Sequence, residues 1–308
     1  MDNEANVTYI TLDGHGGGKK KKKFFFFFMF IVYTLIICSN SIIVYIIWVH
    51  QNLHEPMYIL IAALLLNSVV YSTNIYPKLL IDFISEKQII SYSACLFQFY
   101  IFYSFGSSEF LLLSAMAYDR YVSICKPLQY HTIMRKTTVS IFLLFAWLVP
   151  VCHVAVLTIL SAETKLCDLT LKGIFCNNSI YKLQCVTSRV ITIHGVVSLI
   201  DLSILPMLFI IFTYTKIFII TYRSYREVRK KAAETCLPHL LVLISFSILS
   251  AYDISIARVE SNFPKTARLI MSLQIILYHP LFNPLIYGLK MKEISKHIKR
   301  LLCPVKFI

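Results

Sequence analysis

The sequence predicts an all-α membrane protein, a seven-transmembrane helix bundle followed by a short amphipathic C-terminal helix. Three observations carry this. The 308 residues are 57% hydrophobic and only 15% charged, whereas a soluble chain of this size carries about a quarter charged residues. Apolar residues come in seven long blocks, about 24–48, 57–82, 95–124, 137–160, 192–222, 234–256 and 266–288, and a membrane helix needs roughly 20. Lysine and arginine are distributed unevenly between the two sides. Residues 1–23 are therefore expected to be an extracellular segment, 24–288 the membrane domain, and 289–308 a cytoplasmic helix and tail.

With the first terminus outside, inner segments hold sixteen basic residues and outer segments nine, setting Lys19 to Lys23 apart. The positive-inside rule then places the N-terminus outside and the C-terminus inside a plasma membrane. The net charge of +14 is mostly this asymmetry plus the lysine run at 19–23, and no soluble basic domain points to nucleic acid. Of nine cysteines, Cys95, Cys167, Cys176 and Cys185 fall outside, where disulfides persist. Four cysteines allow two bridges in three connectivities.

Residues 1–15 are polar, and Asn6-Val7-Thr8 is a glycosylation sequon. No cleavable signal peptide is apparent, so the first helix is expected to direct insertion. In 16–28, three glycines, five lysines and five phenylalanines follow one another. Each can be encoded by a single-base triplet, so the run reads as three homopolymer nucleotide stretches or, alternatively, as a basic anchor; it is assigned no function. The first helix carries Asn40. Pro56 suits the first turn of the second helix, which holds Asn67 and Ser68. The third begins by Cys95, contains Glu109 and ends at Asp119-Arg120-Tyr121. Glu109 lies about 16 Å outward of Arg120 at 1.5 Å per residue, and an acid at that depth is a functional candidate or a hydrogen-bonded structural acid. The long outer segment 161–191 holds a second sequon at Asn177. The fifth helix carries Asp201, Pro206 and Tyr214, and the connection 223–236 is basic with helical composition. The seventh ends in Asn283-Pro284-Leu285-Ile286-Tyr287, whose proline frees a backbone carbonyl. In 289–302, lysines interleave with Ile294, Ile298, Leu301 and Leu302, the pattern of an interfacial helix, and Cys303 follows as a palmitoylation point.

These motifs together resemble the rhodopsin-like G-protein-coupled receptors and, more narrowly, the olfactory receptors. The narrower resemblance rests on Pro56-Met57-Tyr58, Met116-Ala117-Tyr118-Asp119-Arg120-Tyr121, Lys231-Ala232 with Thr235-Cys236 and His239, and Pro280 through Tyr287. It covers the chain beyond residue 29, with wording similar to fish-type members. The chain departs from the family at Ser68, where an aspartate is usual, and at Ser247, where an aromatic residue is.

The resemblance implies an odorant receptor, not an enzyme, that binds small organic ligands and activates a cyclase-stimulating G protein, with arrestin and a receptor kinase as further partners and no cofactor. It implies bridges Cys95–Cys176 and Cys167–Cys185. It implies a switch at Asp119, Arg120, Tyr121, Tyr214, His239, Asn283, Pro284 and Tyr287. Asn40, Asn67, Ser68 and Glu109 form the expected polar core, with Glu109 beside Asn67, Ser68 and Asn283 and at most weak sodium binding. The expected ligand set is Phe102, Tyr103, Gly106, Ser107, Asn178, Ser198, Asp201, Tyr252, Ile254 and Arg258. Asp201 either contacts ligand or bonds a neighbouring helix, and Arg258 either captures a carboxylate or pairs with Glu260 or Asp253. The competing class is a transporter or channel, against which the halves show no repeat. A membrane enzyme is disfavoured, because the histidines lack HExxH spacing and no Gly-x-Ser-x-Gly turn occurs.

Overall fold

A computed structural model describes residues 8–14, 18–186, 188–222, 226–258 and 265–302. Asn6 and Cys303 lie outside the described residues, as do the side chains of Tyr252, Ile254 and Arg258. The elements are β1 (Tyr9–Leu12), α1 (Lys19–Val49), α2 (Pro56–Ile84), β2 (Ile89–Ser91), α3 (Tyr92–Cys125), the short α4 (Tyr130–Ile133), α5 (Lys136–Ala162), β3 (Thr170–Leu171), α6 (Arg189–Leu199), α7 (Leu205–Tyr222), α8 (Arg226–Arg258), α9 (Lys265–Lys290) and α10 (Lys292–Leu302). A π-helical turn, Ile200–Ile204, joins α6 to α7. The bundle helices are α1, α2, α3, α5, α6–α7, α8 and α9.

Local chemistry sets several of these ends. Pro56 occupies the first turn of α2, where its missing N–H leaves no intrahelical bond unmade. Ser91 and Ser188 cap α3 and α6, their hydroxyls accepting from Ala94 and Ile191 N–H at 3.3 and 3.4 Å. The basic connection expected at 223–236 is absorbed into α8, which begins at Arg226.

By length and composition, five helical spans among the described residues are apolar enough to cross a membrane: Lys20–Val49, Pro56–Ile84, Lys136–Ala162, Arg189–Tyr222 and Arg268–Lys290. α3 and α8 fall short for different reasons. The apolar part of α8 is only His239–Ala251, behind its basic start. α3 carries buried Gln98, Ser104, Ser108, Glu109 and Asp119 because it packs against α2, α5, α7 and α8, so protein rather than lipid surrounds it. Leu144 and Phe145 on α5 and Ile193, Phe212 and Phe218 on α6–α7 are exposed instead. Such outward apolar faces suit hydrocarbon.

Prolines inside these helices leave carbonyls without their N–H partners, and side chains from other helices answer two of them. Pro284 cannot bond the Pro280 carbonyl, which instead accepts from Asn40 Nδ2 at 2.8 Å. Pro280 cannot bond that of Ile276, which accepts from Tyr76 Oη at 3.4 Å. Both links bind α9 to its neighbours on α1 and α2.

At the end of the bundle that holds both disulfides, β1 lies between β2, antiparallel, and β3, parallel, in the order β2-β1-β3. Nothing in the sequence pointed to this small sheet. A Cβ on Gly14 would meet the Gly173 carbonyl carbon at 2.4 Å, so the segment after β1 sits against the long loop only because residue 14 has no side chain.

Candidate functional site

The outer cavity is assembled by the way the long loop is pinned to α3. The structure joins Cys95 to Cys176 and Cys167 to Cys185, the connectivity the resemblance implied. Gln98 Oε1 accepts from Cys176 N–H at 2.9 Å, and Tyr103 Oη accepts from Asn178 N–H at 2.9 Å. Phe175 packs on Phe102 with ring centres 4.9 Å apart. Successive turns of α3 therefore fix the loop as a roof.

Beneath it, between α3, α5 and α6, is a cavity of about 660 Å³, within the range of small-molecule sites. Of the expected ligand residues, Tyr103, Ser107, Asn178 and Ser198 line it. Phe102 and Gly106 instead line a smaller space of about 70 Å³, shared with Tyr103, Ser107, Phe246 and His279. The expected set is thus divided between two adjoining spaces. Lys182 and Gln184, which sequence reasoning missed, line the larger one.

Asp201 is a correction. Its side chain is exposed and lines neither space. The lining positions Ile191, Gly195, Ser198, Leu199, Leu202 and Ser203 recur at helical spacing, which leaves Asp201 on another face. Ser203 faces both spaces instead, in a turn where Leu205 N–H bonds Ile200 O, five residues back. Asn177, the second sequon, is 6% exposed, and its Oδ1 accepts from Ser179 N–H at 3.1 Å.

Below the cavity, Asn283 Nδ2 donates to Glu109 Oε1 at 3.0 Å and approaches Ser68 Oγ at 3.4 Å. Asn67 was expected here and is elsewhere. Its Nδ2 bonds Phe105 O at 2.8 Å, while its Oδ1 accepts from Trp147 Nε1 at 3.4 Å. In its place stands His279, buried, with Nδ1 3.4 Å from Glu109 Oε1. Its position one turn before Asn283 could have revealed it, because residues four apart share a helix face. The cluster does not fit a sodium ion well. Among the described residues one carboxylate is available there, Asn283 turns a donor toward it, and His279 stands 3.4 Å from it.

At the inner end, Arg120 Nε donates to Asp119 Oδ2 at 2.9 Å and Nη2 bonds the same oxygen. Asp119 is fully buried, and its other oxygen accepts from Tyr130 Oη at 2.8 Å. Tyr130 comes from α4, in the connection between α3 and α5, and sequence reasoning missed it. Burial first, then the Asp119 charge, pushes its phenol above the usual range, so it stays a donor. Tyr287 Oη and His239 Nδ1 share a hydrogen bond of 3.3 Å. Tyr214 is buried with no hydrogen-bond partner for its hydroxyl among the described residues. Tyr121 is half-buried beside these groups, packed on the inner core.

A sequence-family profile described as "Olfactory receptor" matches residues 28–305. The chain is 34% identical over 270 residues to "Olfactory receptor 52A5" of Homo sapiens, covering 85% of this chain and 84% of that one. Against "Olfactory receptor 1500" of Rattus norvegicus the identity is 32%, covering 88% and 87%. Against "Olfactory receptor 4B13" of Mus musculus it is 30%, covering 97% of each. A solved structure titled "Crystal structure of squid rhodopsin" aligns at a TM-score of 0.74 over 93% of this chain and 82% of that one, with 18% identity. That likeness concerns the fold alone.

Proposed function

The chain belongs to the olfactory receptor family, and from that premise we propose that it is an odorant receptor acting through a heterotrimeric G protein of the cyclase-stimulating type. A small organic ligand enters the cavity beneath the long loop, and the response emerges at the opposite end of the bundle. In this reading residues 24–288 form the receptor domain, with the N-terminus outside a plasma membrane and residues 289–308 inside. The fish-type wording of the motifs points to water-borne ligands. Arrestin and a receptor kinase would meet the same inner face, and α10 would lie against lipid headgroups, with Cys303 palmitoylated behind it and Asn6 glycosylated outside.

The observation that supports this best is that one helix carries every station. α3 bears Tyr103 and Ser107 at the cavity, Glu109 in the polar core, and Asp119 with Arg120 at the inner end. Ser107 and Arg120 are about 20 Å apart along it. At rest Asp119 holds Arg120. Ligand binding favours a state in which α8 swings outward and Arg120 turns to the G protein, with Tyr214, His239 and Tyr287 rearranging around it. Moving such an equilibrium from 1:99 to 99:1 takes about 5.5 kcal/mol of differential affinity. A micromolar ligand has about 8 kcal/mol in total, so most of its binding must discriminate between the states.

The test is cyclic AMP in cells expressing the chain, across a panel of small organic solutes. We expect dose-dependent signalling that Arg120→Ala abolishes at equal surface expression. Solute uptake into vesicles with no cyclic AMP response would move the protein to the transporter class.

A further inference from the structure

We propose that the outer cavity selects small organic anions, a carboxylate on a short apolar body, with the head at Lys182 and Gln184 on the roof. This rests on the receptor reading above and names its ligand class. Among the described residues lining the cavity, Lys182 is the only lysine or arginine and no aspartate or glutamate is present. With Asp201 outside, the acid that would have favoured cationic ligands is absent from the walls. Tyr181, on the roof beside Lys182, adds no negative charge, since burial pushes its phenol above the usual range.

A second observation points the same way. Gln184 lines the cavity, and its Nε2 is buried with no hydrogen-bond partner among the described residues. A buried donor left unpaired is costly, so a turn of the Gln184 side chain that brings Nε2 to the cavity surface would let a carboxylate oxygen pair it. Both residues sit on a stiffened backbone. The Cys167–Cys185 bridge closes directly after Gln184, Cys185 N–H donates to Lys165 O at 2.9 Å, and Cys167 N–H donates to Leu183 O at 2.8 Å. Donors held in advance lose little freedom when an anion arrives. Phe99, Val154 and Leu157 line the rest of the space, where a hydrocarbon body gains from leaving water. Lys182 is exposed at the rim, so its charge stays solvated until the ligand meets it.

Three probes of equal chain length separate the head group from the body: hexanoate, 1-hexanol and hexylamine. Their binding is read as thermal stabilisation of the purified full-length chain in detergent, and as cyclic AMP in cells. Hexanoate should bind best, and Lys182→Ala should weaken it by about tenfold while Lys182→Arg keeps most of the affinity. Gln184→Ala should weaken it less. Ser198→Phe, which intrudes on the cavity, should weaken binding of every probe that occupies it. If hexanol or hexylamine binds as well as hexanoate and Ser198→Phe still weakens it, the cavity stands as the ligand site and the anion preference is wrong. Hexanoate binding untouched by Lys182→Ala, or no stabilisation by hexanoate at millimolar concentration, overturns the proposal. Signalling to other solutes that Ser198→Phe leaves unchanged would instead remove the cavity itself from the receptor reading.

Discussion

One phenol does more for the inner lock than its place in a short loop suggests. Tyr130 donates to the Asp119 oxygen that Arg120 leaves free, so it steadies the carboxylate that steadies the arginine. A hydrogen bond to a charged group contributes about 1.5–3 kcal/mol, and its loss should loosen the resting state. Tyr130→Phe is therefore expected to raise ligand-free cyclic AMP severalfold at equal surface expression; an unchanged basal level would show that Asp119 and Arg120 hold alone. The polar core yields a second expectation. With His279 beside Glu109 and Ser68 in place of a second acid, replacing sodium by choline should change agonist potency by less than about threefold, under 1 kcal/mol. A large sodium effect that Glu109→Gln removes would reverse this. Asp119, Arg120, Glu109 and Asn283 were legible because charge and amide groups are rare in apolar helices and stand out. His279 and Tyr130 were not, since neither is unusual until its neighbour in space is known.

Among the elements, helices were the most legible and their internal irregularities the least. Apolar length marks a span whatever its neighbours do, so the expected blocks match the observed helices within a few residues, α1 and α8 excepted, whose basic first turns carry no apolar signal. The π turn at Ile200–Ile204 has no such signature; within it Ser203 lines the cavity and Asp201 is exposed. α10 has its own chemistry. His297 meets His50, at the end of α1, with ring centres 3.9 Å apart. Burial, then the neighbouring His50, lowers the His297 pKa below the usual imidazole value, with Arg300 and Lys296 adding to the shift and Glu293 opposing it. Docking therefore favours the neutral ring. Its contribution is complete above the ordinary imidazole pKa and is lost as the pH falls through that value toward the lowered one. Amide hydrogen exchange of α10, corrected for intrinsic rates, should quicken between pH 7.5 and pH 5.5, and His297→Gln should flatten that dependence. Equal protection at both pH values would mean the ring contact bears no part of the docking.

For the whole molecule, hydropathy alone understates the bundle, because its central helix is shielded from lipid. α3 is polar because it packs against four other long helices; its block, 95–124, was found by apolar length, and Asp119-Arg120-Tyr121 marked its far end. The roof was half legible. Its four cysteines were visible and their pairing came with the resemblance, but the loop's bonds to Gln98 and Tyr103 depend on which α3 turn faces it. The Cys167–Cys185 bridge spans a sequence separation of 18, and closing a loop of that order contributes about 3 kcal/mol. Replacing both cysteines by alanine should lower the melting temperature and cut ligand potency more than it cuts surface expression, because Lys182 and Gln184 would lose their support. Equal losses in all three would make the bridge a general staple only.

The small outer sheet also sets a schedule for biosynthesis. β1 is made first, yet its partners are Ile89–Ser91 and Thr170–Leu171, so one edge waits for two helices of the bundle and the other for four. Throughout that interval at least one edge of the leading strand is open to chaperones or to a neighbouring chain. Quality control that detected this unpaired strand would retain nascent chains until the roof had closed.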